Sequence, residues 1–128
     1  LSHPYAEQLG LVVAESGPGR STCTLAVRAD HFNPHGVVHG AVLYALADTG
    51  MGAALYPTLA AGERCATLQL TMSYFRAVAG GELRCTTELV HRGRTVAHLE
   101  SRVYAGETLV ASASGNYAIF AARGDRSG

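Results

Sequence analysis

The stretch ADHFNPHGVVHGAVLYALAD, from Ala29 to Asp48, gathers most of the side chains able to do chemistry. His31, His35 and His39 recur at intervals of four, and Asp48 follows nine residues after the last. On one helical face such a row would offer imidazoles to a metal ion. Pro34 lies between the first two histidines and turns Asn33 away from helical geometry, and Gly36 weakens a helix again. The stretch therefore reads as a loop with no metal site, and His31 and His35 read as exposed or loop-packing side chains.

His39-Gly40 sits where this loop meets an apolar run, Ala41 to Leu55. The first N–H groups of a helix have no internal acceptor and carry the positive end of its dipole. A carbonyl oxygen gaining negative charge would be stabilised there, and glycine lets a substrate approach the backbone. A plainer reading makes Gly40 a tight start to the helix and His39 its cap. Asp48 interrupts the apolar run between Ala47 and Thr49. A buried carboxylate must be paired, protonated or turned to a cavity, so Asp48 is either a catalytic group or a polar contact holding a dimer together.

The elements that must position these groups follow from periodicity. Pro4 and YAEQLG suggest a short opening helix, LGLVVAES a strand and GPG a turn. RSTCTLAVR alternates as a half-buried strand. Ala41 to Leu55 is apolar nearly all round, which describes a buried helix, and Pro57 ends it. Four runs of period two come next. Leu68, Leu70, Met72 and Tyr74 share a face in the first, and Leu83, Cys85, Thr87 and Leu89 in the second. Ala97, Leu99 and Val103 align in the third, and Leu109, Ala111, Ala113, Tyr117 and Ile119 in the fourth. Gly80-Gly81, Gly93 and Gly106 read as hairpin turns. The fold class expected is α+β: one long central helix against a curved antiparallel sheet running as a meander. The sheet's far face is only partly polar, which points to oligomerisation.

The chain of 128 residues fits one domain, residues 1–128. Ten basic and ten acidic residues balance, so no broad field draws it to nucleic acid or to an anionic membrane. The apolar run is too short to span a bilayer. Three cysteines, Cys23, Cys65 and Cys85, include no C-x-x-C pair, which argues against a disulfide framework or a zinc site. With no basic segment before an apolar one at the N-terminus, a reducing cytoplasm is the expectation.

Asn33, Gly36, His39-Gly40 and Asp48, in NPHGVVHGAVLYALADTG, together resemble the hotdog-fold acyl-CoA thioesterases, specifically the phenylacetic-acid-degradation (PaaI-like) group. SYFRA, HRGRT and the order of elements extend the resemblance over nearly the whole chain. One departure is Ala41, where the family has a second glycine. The resemblance implies the hotdog fold and hydrolysis of an acyl-CoA, phenylacetyl-CoA or a related aryl or medium acyl group. It makes Asp48 the nucleophile or general base, the Gly40 amide the oxyanion donor, His39 the support of that turn, and Asn33 a group orienting thioester or water. A small hydroxyl residue near the attacking water matches Thr67, with Ala66 the neighbouring register. Coenzyme A would be part of the substrate, and no cofactor is implied. Its phosphates would find Arg92 and Arg94, with His91 and Arg76 behind them. Tyr74, Phe75 and Val78 would line the acyl or pantetheine channel; solvated-hairpin and core-packing roles are the plain alternatives for both sets.

Gly40 and Asp48 are eight residues apart, about 12 Å along a helix axis. An oxyanion donor and a base acting on one carbonyl cannot share a helix at that distance. If both act, Gly40 of one subunit must meet Asp48 of another, which predicts an isologous homodimer with shared sites. The family suggests that such dimers pair into a homotetramer. A non-catalytic acyl-CoA-binding hotdog protein is the main alternative. Hydratase or dehydratase chemistry on the same fold ranks below it, and metal binding comes last.

Overall fold

The computed structural model describes residues 3–122; the ends of the expected 1–128 domain lie outside the described residues. Helix α1 (Pro4–Leu9) starts on its proline and stops at Gly10, whose φ of 80° closes it in the left-handed region. Strands β1 (Leu11–Gly17) and β2 (Arg20–Ala26) form a hairpin around Gly19. Helix α2 (Gly40–Leu55) follows the long loop. It ends where Pro57 opens a single 3-10 turn, Tyr56–Thr58. Strands β3 (Glu63–Tyr74), β4 (Glu82–Arg92), β5 (Val96–Ala105) and β6 (Thr108–Ala121) complete the chain.

All six strands join one antiparallel sheet in the order β1-β2-β4-β5-β6-β3, with α2 packed on one face. Leu46, Met51 and Leu55 of the helix are fully buried, as are Leu83, Cys85, Leu99 and Val103 on the facing strands. Each such aliphatic side chain contributes about 2 kcal/mol by leaving water. Gly115 lies under the Met51 sulfur, where a Cβ would stand 2.6 Å away.

The structure corrects four details of the expected fold. Gly80-Gly81 is not a hairpin turn, because β3 pairs with β6 and β4 with β2. The segment after β3 instead leads from the sheet's edge to β4, between β2 and β5. Val78 in this segment is buried and its carbonyl accepts from Val38 N–H, while the Gly81 carbonyl accepts from Val27 N–H. Second, β3 carries a bulge between Thr67 and Gln69, so Leu68 leaves its expected face and is 60% exposed. Third, β6 shifts register near its start, where Val103 opposes Ala111 and Tyr104 opposes Leu109. Val110 turns inward in place of Leu109. One extra residue inverts the alternation on either side of it.

The fourth correction concerns helix α2, which is not buried all round: Ala41 and Tyr44 are exposed and Asp48 half-buried on one stripe. The far face of the sheet is partly polar, as expected: Thr22, Thr86, Glu88, Glu100, Arg102, Ser112 and Ser114 share it with the exposed Val12 and with Tyr104 and Leu109. Further exposed apolar groups lie along and just after β3 and on the helix, including Leu68, Tyr74, Phe75 and Tyr44. Among the described residues no helix is long and apolar enough to cross a membrane.

Candidate active site

The three histidines separate into three jobs. His31 is buried, and its Nδ1 accepts from Arg28 N–H at 2.9 Å while Nε2 bonds the Leu9 carbonyl at 2.7 Å. Nδ1 thus closes the turn that starts at Arg28, and Nε2 ties it to the end of α1. His35 is exposed, and its backbone N–H donates to Asn33 Oδ1 at 2.9 Å. His39 caps α2: its Nδ1 accepts from Ala41 N–H at 2.9 Å. Among the described residues no group of three or more His, Cys, Asp or Glu side chains is arranged to hold a metal ion.

Asn33 organises the approach to the helix. Its side-chain oxygen accepts from the N–H groups of His35 and Val37, and its own N–H donates to the Val37 carbonyl. This closed turn carries the chain to Val38, buried against Val78, and then to His39. The helix begins at Gly40 with the cap already in place, and no acceptor among the described residues takes the Gly40 N–H. Tyr74 O–H donates to the Gly40 carbonyl at 2.8 Å. A Cβ on Gly40 would meet the Tyr74 ring at 3.1–3.3 Å, so the absent side chain lets strand and helix close up. Gly40, Tyr74, Phe75, Arg76 and Val78 border one groove of about 340 Å³. Tyr74 and Phe75 are half exposed there, at 50% and 53%, whereas Val78 is buried and belongs mainly to the core.

Asp48 stands two turns further along α2, away from that groove. Its Oδ1 accepts from Thr67 Oγ1 at 2.7 Å and, over a short hydrogen bond, from Tyr117 O–H. The Tyr117 oxygen also lies 2.9 Å from the Asp48 backbone carbonyl. Nothing among the described residues bonds Oδ2. Thr67, not Ala66, faces the carboxylate, because the bulge at Leu68 comes just after it. Burial, and then the bond to Asp48, push the Tyr117 phenol far above its usual range, so it stays a donor. The same two neighbours, burial first and the Asp48 charge second, push up the thiol of Cys65. Tyr117 is the member that periodicity missed. Its inward position on β6 was legible, but an aromatic ring on an inward face reads equally well as core.

The β4–β5 turn splits the expected phosphate ligands. Arg92 donates to Glu63 at 3.0 Å, to the Thr58 carbonyl at 3.2 Å and to the Gly93 carbonyl at 2.8 Å. Its guanidinium fastens β4 to the chain after α2 and has little left for a phosphate. His91 and Arg94 are exposed beside it, and Arg94 forms no ion pair among the described residues. Arg76 is apart from them, on the groove beside Gly40.

Comparison with known proteins gives these features a setting. Residues 35–112 match the family described as the thioesterase superfamily. The chain is similar to the proofreading thioesterase EntH of Cronobacter sakazakii, with 32% identity over 69% of this chain and 64% of that one. It is similar in structure to a mutant of the phenylacetic acid degradation protein PaaI from Thermus thermophilus. There the TM-score is 0.85 and the identity 32%, over 91% of this chain and 98% of the other. A conserved protein of Pseudomonas aeruginosa superposes with a TM-score of 0.87 at 34% identity, over 93% and 95% of the two chains.

Proposed function

The chain belongs to the thioesterase superfamily, and on that premise we propose that it hydrolyses acyl-CoA thioesters through Asp48, with the Gly40 N–H as oxyanion donor. The observation that carries this reading is the carboxylate of Asp48, anchored through one oxygen by two hydroxyls while the other is open. Asp48 either attacks the thioester carbon itself, forming an anhydride that water then cleaves, or takes a proton from a water that attacks. In both routes the carbonyl π pair moves onto oxygen, where the Gly40 N–H at the positive helix end stabilises it. Collapse expels the CoA thiolate, which takes up a proton.

Gly40 and Asp48 of one chain are about 12 Å apart along α2. The proposed site therefore forms between two copies, Gly40 of one protomer facing the partner's Asp48 across antiparallel helices. Two observations support the pairing. The stripe Ala41, Tyr44 and Asp48 lies open on α2, and β3 offers a long edge with no neighbouring strand among the described residues on its outer side. We extend the pairing to a tetramer through the partly polar far face. Arg20, Glu88, Glu100 and Arg102 line a hollow of about 840 Å³ there, and none of them ion-pairs within the described chain.

The half-exposed rings of Tyr74 and Phe75 suit an aryl acyl group such as phenylacetyl. Arg94, His91 and Arg76 are free to meet the phosphates of CoA, and the chemistry uses no metal or cofactor. The three free cysteines suit a cytoplasmic location. The deciding experiment measures thiol release from phenylacetyl-, benzoyl-, hexanoyl- and acetyl-CoA. Turnover with an aryl preference is expected. Binding of these thioesters without any thiol release would make the protein an acyl-CoA-binding module instead.

A further inference from the structure

Asp48 is not held symmetrically. Thr67 and Tyr117 reach it from β3 and β6, two neighbouring strands, and both hydroxyls converge on Oδ1. Thr67 and Tyr117 are direct partners across that pair of strands. Tyr117 is buried in the cluster that holds Ala47, Met51, Leu99 and Ile119, and both acceptors within reach of its hydroxyl, Oδ1 and the backbone carbonyl at 2.9 Å, belong to Asp48. Thr67 is at the exposed side of the same carboxylate. A carboxylate oxygen that accepts two hydroxyl hydrogens has its lone pairs committed, while its twin keeps both of its own. The two donors also fix the carboxylate plane, which otherwise rotates about a broad torsion.

We propose that Tyr117 is a positioning residue for the hydrolysis: it and Thr67 lock Asp48 through Oδ1 and so assign the reacting role to Oδ2. This rests on the reading of Asp48 as nucleophile or base. It adds that the Thr67 hydroxyl is turned to the carboxylate and not to the attacking water. It also places a β6 residue, far from Asp48 in sequence, in control of the direction in which the carboxylate points. The raised phenol range of Tyr117 keeps the donor proton in place throughout the working pH range.

The test compares Asp48→Asn, Tyr117→Phe, Thr67→Val and Thr67→Ser in steady-state hydrolysis. Tyr117→Phe keeps the buried ring and removes only the hydroxyl. It should lower kcat by about tenfold to a hundredfold, the scale of a misplaced catalytic group, and leave KM within about twofold. Thr67→Val should act in the same direction, and Thr67→Ser should restore most of the loss. A merely structural hydroxyl would lower the melting temperature without this split between kcat and KM. An inactive Asp48→Asn beside a Tyr117→Phe enzyme of unchanged kcat overturns the positioning role and leaves the thioesterase reading standing. An active Asp48→Asn overturns the reading itself. Should Tyr117→Phe fail to fold, proton NMR of the other variants decides. A slowly exchanging Tyr117 hydroxyl proton should lie downfield in wild type and move upfield in Asp48→Asn; no movement overturns the proposal.

Discussion

The two ends of the chemistry on α2 are built in opposite ways. At Gly40 the useful group is backbone: an N–H left open by the start of the helix, beside a groove of half-exposed rings. At Asp48 it is a side chain, charged, anchored by two hydroxyls and backed by core. The first end depends on an absence, since any side chain at position 40 meets Tyr74. The second depends on contacts supplied from distant strands. The difference teaches that a backbone donor needs a loop that delivers the helix start and room beside it, whereas a directed carboxylate needs β3 and β6 in register.

The largest effect should come from the side-chain end. Asp48→Asn keeps the shape and removes the charge, so kcat should fall by about a hundredfold or more with the fold intact, read by thiol release and circular dichroism. Near-normal turnover would dissolve the contrast between the two ends. Mixing sharpens it. Asn33 holds the loop that delivers Gly40, so Asn33→Ala damages one end and Asp48→Asn the other. Two such variants, each nearly inactive, should recover roughly a quarter of wild-type activity once subunits exchange, because half the dimers are mixed and each has one intact site. No recovery, with exchange confirmed by mass spectrometry, would place both ends in one chain's site.

A smaller effect is expected at Gly40. Gly40→Ala pushes on the Tyr74 ring by a few tenths of an ångström, and kcat/KM should drop by about tenfold. The melting temperature should hold, because alanine favours helix over glycine. A loss of stability without loss of activity would reduce Gly40 to a helix start.

The smallest effect lies at the β4–β5 turn. The Ala60 N–H first, and then the Arg92 guanidinium, hold the Glu63 carboxyl below its ordinary value of 4.5. That stabilisation is complete above the ordinary value and is lost as pH falls through the lowered one. Arg92→Ala should therefore lower the melting temperature by a few degrees near neutrality, and the gap to wild type should narrow toward acid, the bonds to the Thr58 and Gly93 carbonyls accounting for what remains. Arg94→Ala should instead raise KM for CoA thioesters and leave melting unchanged. The opposite assignment would move the phosphate contact to Arg92.

Much of this was legible in the sequence, for physical reasons that differ by element. Asp48 was conspicuous because a charge in an apolar run needs an explanation. The start of α2 at Gly40 and its end before Pro57 followed from cap and breaker chemistry. The adjacency of β3 and β6 was not legible, since turn residues report local reversals and not which strands meet. The bulge at Leu68 and the register shift at Val110 add single residues with no mark in composition, yet the first sets Thr67 toward Asp48 and the second turns Val110 inward. The tie of Arg92 to Glu63 was not legible, because the two are remote in the chain.

Helix α2 carries a part of two different sites on one rigid rod. Under the proposed pairing a lone subunit holds two halves and no whole. The molarity of the protein then becomes a kinetic variable. Well below the dissociation constant of the pair, the paired fraction grows in proportion to total protein, and the observed rate rises as the square of its concentration. The cell's expression level, and not only its substrate supply, would set when this chain begins to turn over.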